Sequence, residues 1–263
     1  MNNPPLKVAV SILLLASFVA LMLLLLLPQW WPRLIAVHFL CLGVAIYPAL
    51  RPNCGWFGPV VKSFRPDGKE VWLTIDDGPH PVNTPRMLEL LGRFGARATF
   101  FVVGDRVRTQ PHLTRAILNQ GHTLGNHSAT HPKAFFWCFP KRAAMREIER
   151  GAATIREATG FNTAWFRAPV GMANLFVHEI VHQRQLKLIG WSSRGLDGVD
   201  GDAHRIAKRV IRDIYPGAIV LLHDGCGSQE GSPAAVHALE GILEHLHQEG
   251  YRCVIPAEQQ LCC

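Results

Sequence analysis

Several features that would point to other functions are missing from this chain of 263 residues. It has no basic stretch with interleaved aromatics, which argues against nucleic acid as a partner. It has no CxxC pair. Its seven cysteines (Cys41, Cys54, Cys138, Cys226, Cys253, Cys262, Cys263) are odd in number, and one lies in an apolar stretch, so they do not read as a disulfide framework. Scattered thiols of this kind suit a reducing compartment. There is no internal repeat and no low-complexity tract beyond a leucine-rich N-terminus, and no segment identifies a protein partner.

Charge is also absent from Val8 to Leu27, twenty consecutive positions dominated by Leu, Val and Ala. At about 1.5 Å per residue such a helix crosses roughly 30 Å of hydrocarbon. A signal peptide would have a shorter apolar core ending in small residues. Here the stretch runs into Leu27-Pro28-Gln29-Trp30-Trp31, which reads as an interfacial anchor. A second apolar stretch, Leu34 to Leu50, is seventeen residues long and contains His38 and Pro48. It is expected to be a second span, with a re-entrant or interfacial segment as the competing reading. Positive charge is sparse between the stretches (Arg33) and heavier outside them (Lys7 before; Arg51, Lys62, Arg65 and Lys69 after). That bias predicts an integral membrane protein with both ends, and the catalytic domain, on the cytoplasmic side. The formal charge of +7 and pI near 9.2 favour anionic lipid head groups or a negatively charged glycan.

Residues 1–50 therefore form the expected anchor, and 51–70, punctuated by Pro52, Gly55, Gly58, Pro59, Pro66 and Gly68, the expected linker. The domain is expected over 71–263. Short apolar runs read there as strands: Val71–Ile75, Ala98–Val103, His122–Gly125, Thr163–Phe166, Leu186–Gly190, Ala218–Leu222 and Arg252–Ile255. Helices separate them. Thr84-Pro85 and Ser232-Pro233 are start signals, Gly95 and Gly250 stop signals. Met145, Ile148, Ala152 and Ile155 recur at helical spacing between Pro140 and Gly160. Strand and helix alternating about seven times predict an α/β fold, a distorted (β/α) barrel of about seven strands behind one or two transmembrane helices.

The chemistry concentrates in Thr74-Ile75-Asp76-Asp77-Gly78-Pro79 and in His127-Ser128-Ala129-Thr130-His131. One Asp and two His can hold a divalent cation with a position left for water, while the other Asp takes a proton. In a barrel the working groups come from the C-terminal ends of strands. Asp76 and Asp77 follow the first predicted strand, and His127 and His131 the third. Arg167 follows the fourth, Asp197 the fifth, which carries Trp191, and His223 and Asp224 the sixth. A hydrolase is the leading expectation.

From about Val71 to Ile255 the chain resembles the polysaccharide deacetylases of the NodB-homology type, carbohydrate esterase family four. The resemblance implies Asp76 as general base and Asp77, His127 and His131 as metal ligands. Phe166-Arg167-Ala168-Pro169-Val170-Gly171 is similar to the family's third motif, whose Arg pairs with the base. Ile219-Val220-Leu221-Leu222-His223-Asp224 is similar to its fifth, whose His is the general acid and whose Leu helps receive the acetyl methyl group. Pro169 and Trp191 are placed on the substrate side, although Trp191 also reads as core. Ala168 and Val170 stand where many members carry a second proline and an aromatic. The Asp-Trp of the fourth motif is replaced by Trp191 with Asp197 or Asp200 later, and Asp197 is preferred as the carboxylate that orients His223. Zn²⁺ is the expected cofactor, with Co²⁺, Ni²⁺ or Mn²⁺ suited to similar ligands. The expected substrate is an N-acetylated glycan, or alternatively a lipid-linked amino sugar carrying an acetyl or formyl group.

Two other classes were weighed. His178-Glu179-Ile180-Val181-His182 fits the H-E-x-x-H pattern of zinc proteases. Gln185, however, stands where an extended motif needs Gly, and the stretch falls in the helix between the fourth and fifth strands. A non-catalytic glycan-binding module would be favoured by loss of the base, the ligands or His223, and all are present.

Overall fold

The computed structural model describes residues 4–225 and 233–262, with the side chains of 4–7 and 134 excepted. Ser232, Cys226 and Cys263, singled out above, lie outside the described residues. The chain opens with helices α1 (Pro4–Leu26) and α2 (Trp31–Leu50), packed on each other as a hairpin whose outer faces are apolar and exposed. Both are long and apolar enough to cross a membrane, which makes them candidate spans by length and composition. A Ser17 Oγ to His38 Nδ1 hydrogen bond of 2.8 Å ties the pair at mid-length.

The strands and helices of the domain follow in this order: β1 (Ser63–Phe64), β2 (Glu70–Gly78), α3 (Asn83–Arg93), β3 (Ala98–Val102), α4 (Gly104–Thr109), α5 (Pro111–Asn119), β4 (Thr123–Asn126), α6 (Lys141–Thr159), β5 (Trp165–Phe166), α7 (Leu175–Gln183), β6 (Lys187–Leu188), β7 (Ser193–Arg194), α8 (Ala203–Arg212), β8 (Ile219–His223), α9 (Pro233–Gln248), β9 (Arg252–Cys253) and β10 (Leu261–Cys262). Seven parallel strands lie in the order β6-β5-β4-β3-β2-β8-β7, and β9 pairs with the start of β2. β6 and β7 end that order on opposite sides, yet only residues 189–192 separate them in sequence. So short a connection reaches about 18 Å at most, and the sheet must curl until its edges nearly meet. The expected distorted barrel is the observed architecture. β7, two residues long, carries no periodic signal and was not among the expected strands.

Side-chain alternation divides two cores. Val71, Leu73, Ile75, Val220 and Leu222 face outward, into a layer shared with Met87, Leu91, Ile206, Leu239 and Ile242 of the helices. Trp72, Ile219 and Leu221 face the barrel interior with Phe101, Ile189 and Trp191.

Three expectations are corrected by packing. Residues 51–70 are no free linker: Val60, Val61 and Phe64 are buried, β1 pairs antiparallel with β10, and Val61 bridges to Ile189. The Pro and Gly punctuation there marks turns that lay this segment along the barrel. α3 begins at Asn83 with Val82 as its cap, because the Thr84 hydroxyl is engaged elsewhere, by His80 N–H and by Asp224. On α6 the fully buried positions are Ala144, Ile148, Gly151 and Ile155. Gly151 is required there: a Cβ would strike Asn126 Oδ1 and the Ser128 backbone, so only glycine lets α6 approach the segment leading to His131. Gly160 caps the same helix in the left-handed region, φ 74°.

Candidate active site

Register brings the first two groups together. Asp76 and His223 occupy inward positions on β2 and β8, and they are direct partners in the parallel ladder. In a regular strand Asp77 would then point outward. It does not, because the β2–β3 register shifts between Asp76 and Gly78 and Asp77 takes a left-handed φ of 67°. This one-residue irregularity turns both neighbouring carboxylates toward the same cavity. Arg106 fastens it, donating from Nη1 to the Asp77 carbonyl and from Nη2 to Gly225 O at 3.2 Å.

Arg167, with 0% exposure, lies behind Asp76. Its Nη1 donates to Asp76 Oδ1 at 2.7 Å and to Thr74 Oγ1 at 2.8 Å, Nη2 to Gly190 O at 2.8 Å and Nε to Ile189 O at 3.2 Å. The Thr74 hydroxyl in turn donates to Val220 O at 2.6 Å. Phe101 lies face-on to the guanidinium, 4.2 Å away. Burial pulls the Arg167 pKa below its ordinary value, against the opposing influence of Asp76. A buried cation so tightly committed holds its carboxylate partner in place.

Asp77, His127 and His131 form the three-ligand grouping found among the described residues, each offering an atom within 4.8 Å of the others. Asp77 Oδ1 is 3.4 Å from His127 Nε2 and 3.2 Å from His131 Nε2. Ligand atoms about 2.1 Å from one tetrahedral centre are separated by about 3.4 Å, so the spacing suits a small divalent cation. The tautomer suits it too. His127 Nδ1 is 2.8 Å from the Arg167 carbonyl, which can only accept, so Nδ1 carries a proton and Nε2 is the ring atom turned toward Asp77 and His131. His131 is pushed down to about 4, first by burial and then by His127, outweighing the two carboxylates, so it is neutral at pH 7. Burial works to raise the Asp77 pKa, but the hydrogen bond and charge of His127, with His131 and His223, hold it below the usual carboxylate range. Two imidazole nitrogens and one carboxylate oxygen are the donor set that Zn²⁺ or a similar cation takes.

On the opposite side Asp197 grips His223 twice, accepting from the backbone N–H at 2.7 Å and pairing with Nδ1 at 2.9 Å. Burial works to lower the His223 pKa, but the Asp197 hydrogen bond and charge, with Asp77 and Asp76, raise it to about 9. Asp200, the other carboxylate considered, is occupied by Arg205 and Arg209 at 2.8 and 2.7 Å.

Asp76, Asp77, His127, His131 and His223 line one cavity of about 310 Å³ that also takes in Leu221, Trp191, Arg194, Val170, Gly171, Leu196 and Val199, with Arg167 and Asp197 behind it. Leu221 and Trp191 both stand on its wall. Pro169 is buried, and its neighbours Val170 and Gly171 supply the lining at that position. Sequence reasoning gave no role to Thr74, Arg106 or Leu196, and named Val170 only as a departure in the third motif. Thr74 was findable, being two residues before Asp76 on the same strand face. Arg106 carried no signal. Val170 and Leu196 reach the cavity on left-handed backbone, φ 58° and 60°, which nothing in their residue type announces.

The H-E-x-x-H stretch lies elsewhere, on α7. His178 is buried against Phe57, and burial lowers its pKa to about 4. Glu179 pairs with Lys141 at 2.6 Å. Its residues are not in the cavity that gathers the other groups.

A curled parallel β/α half-barrel with two histidines and paired carboxylates at its strand ends defines a class of hydrolase-like domains. The family profile described as polysaccharide deacetylase matches residues 64–189. A chitooligosaccharide deacetylase from Rhizobium leguminosarum bv. phaseoli is 34% identical over 204 residues, covering 75% of this chain and 87% of that protein. Among solved structures, a peptidoglycan N-acetylglucosamine deacetylase bound to a naphthalenyl-N-oxidanyl-benzamide superimposes with a TM-score of 0.67 at 27% identity, over 73% of this chain and 88% of the other. A family-four carbohydrate esterase pseudoenzyme from Bacillus anthracis superimposes with a TM-score of 0.66 at 28% identity, over 74% and 66%. The chain belongs to the polysaccharide deacetylase family of NodB homology, carbohydrate esterase family four.

Proposed function

We propose that this protein is a membrane-anchored, metal-dependent hydrolase that removes an N-linked acetyl group from an N-acylated sugar. The observation that carries the reading is the placement of Asp76, held by Arg167, directly beside the Asp77, His127 and His131 cluster. A structural neighbour is a pseudoenzyme, so the reading rests on the intact set of groups as well as on kinship.

Asp77, His127 and His131 would hold the cation, which supplies Lewis acidity toward the amide carbonyl and acidifies a water. Asp76 takes the proton of the attacking water; its Oδ1 is spent on Arg167, leaving Oδ2 for that task. Arg167 keeps the Asp76 carboxylate fixed in orientation. His223, cationic at neutral pH with Asp197 fixing its ring, gives a proton to the departing amine. Leu221 offers an apolar surface for the acyl methyl group, and Trp191 a wall for the sugar ring. A formyl group would fit the same chemistry.

The two N-terminal helices are read as spans, and the charge bias around them as placing the domain on the cytoplasmic face. A reporter fused to Cys263 that is active only outside the cytoplasm would contradict that side. The reaction is tested by acetate release from a panel of N-acylated glycans, comparing the native chain, Asp76→Asn and chelated protein. Equal release from all three would sink the reading.

A further inference from the structure

We infer that the acyl sugar is carried on the bilayer, so that the cavity serves a lipid-linked amino sugar in preference to a free oligosaccharide. This rests on the deacetylase reading and on the helical hairpin as a membrane anchor.

The first support is distance. α2 ends at Leu50, and Asn53, three residues later, donates from Nδ2 to Trp191 O at 3.0 Å and from its backbone N–H to Gly171 O at 3.3 Å. Trp191 and Gly171 both line the catalytic cavity. Three residues of chain reach about 11 Å at most, so the cavity wall stands within that distance of the end of the helix. Asn53 takes a left-handed φ of 59°, a conformation asparagine accepts more readily than most residues, which suits it to this junction. α2 also packs against the turn Lys133–Cys138 that follows His131.

The second support is the mouth. Val170, Leu196 and Val199 line the cavity yet remain exposed, Val199 at 88%, and Phe135 in the neighbouring turn is exposed at 69%. Apolar side chains clustered around a sugar site are out of place against water and in place against lipid. The third is a groove of about 320 Å³ on α2, formed by Phe39, Leu40, Gly43, Val44, Tyr47 and Trp56. Trp56 lies three residues past Asn53 and packs edge-on to Tyr47. The groove belongs to the same helix exit that braces the cavity, and its occupant is the proximal part of the substrate's hydrocarbon chain.

The test uses the full-length protein in phosphatidylethanolamine–phosphatidylglycerol vesicles. It compares acetate release from vesicle-borne polyprenyl-diphosphate N-acetylglucosamine and from chitotetraose. The expected result is a kcat/KM at least tenfold higher for the lipid-borne sugar. Equal or faster turnover of chitotetraose overturns the inference, whereas no acetate from either counts against the deacetylase reading itself. Gly43→Leu projects into open space in the groove, where a Cβ meets nothing within 4 Å, and is expected to cut the lipid-borne advantage severalfold. An undiminished advantage removes the groove from the proposal.

Discussion

Arg167 and Asp76 are joined by a 2.7 Å hydrogen bond between two side chains that are almost completely withdrawn from water. Removing one partner leaves the other charged and unmatched in the barrel interior. Arg167→Met is expected to destabilise the domain by about 3–5 kcal/mol, read as a lower urea midpoint. It should also reduce acetate release at least a hundredfold, because Asp76 loses what holds its orientation. Asp76→Asn should cost as much activity.

The cation is expected to depend on all three side chains that converge on it. Asp77→Asn and His131→Ala should each lower bound metal, measured by elemental analysis of purified protein, to under a tenth of the native content. Chelation should abolish acetate release from the native chain, and Zn²⁺ or Co²⁺ should restore it. Activity that survives complete removal of metal would contradict the assignment.

His223 sets an expected alkaline limit. Its folded pKa, about 9, is above the ordinary histidine value, so the cationic acid prevails at neutral pH and is lost as pH rises through about 9. Acetate release should fall over that range. The same shift makes a contribution to folding that is complete below about pH 6.5 and disappears between there and about 9. In Asp197→Asn the partner that does most to raise the pKa is gone while burial still lowers it, so the alkaline limb should move to lower pH. A pH–rate profile of kcat/KM with an unchanged limb would show that His223 is not the acid.

Glu179→Gln separates this chemistry from a protease on α7. The Lys141–Glu179 pair is partly exposed, and such pairs contribute about 0–1 kcal/mol. Acetate release should stay within twofold of native, with a small change in melting temperature.

Gly151→Val tests how the second ligand segment is held. The added side chain meets Asn126 and Ser128 where α6 presses on them. Overpacking of this kind costs about 1–3 kcal/mol. Because His127 lies between the two residues displaced, metal content should fall with stability.

The residues proposed as ligands and base were legible as a cluster because Asp-Asp-Gly and the His pair follow recognisable strands, and because alternation along β2 and β8 fixes which residues face inward. The choice between Asp197 and Asp200 was only a preference in the sequence. It turns on where Arg205 and Arg209 of α8 point, which no local pattern records. The packing of Val60, Val61 and Phe64 within residues 51–70 was hidden for a similar reason: proline and glycine announce turns, but not what the turns pack against. Asn53 looked like one more polar residue in a connecting stretch until its partners, more than a hundred positions away, were known.

The kink at Asp77 has consequences for how this chamber could arise or be altered. Straighten the backbone there and the second acid swings out among the helices, leaving one carboxylate where two tasks must be performed. Division of labour between chemically identical neighbours is thus written in the path of the main chain. A substitution that keeps both aspartates but lets Asp77 relax to an ordinary extended shape would erase the site without touching any of its reactive atoms.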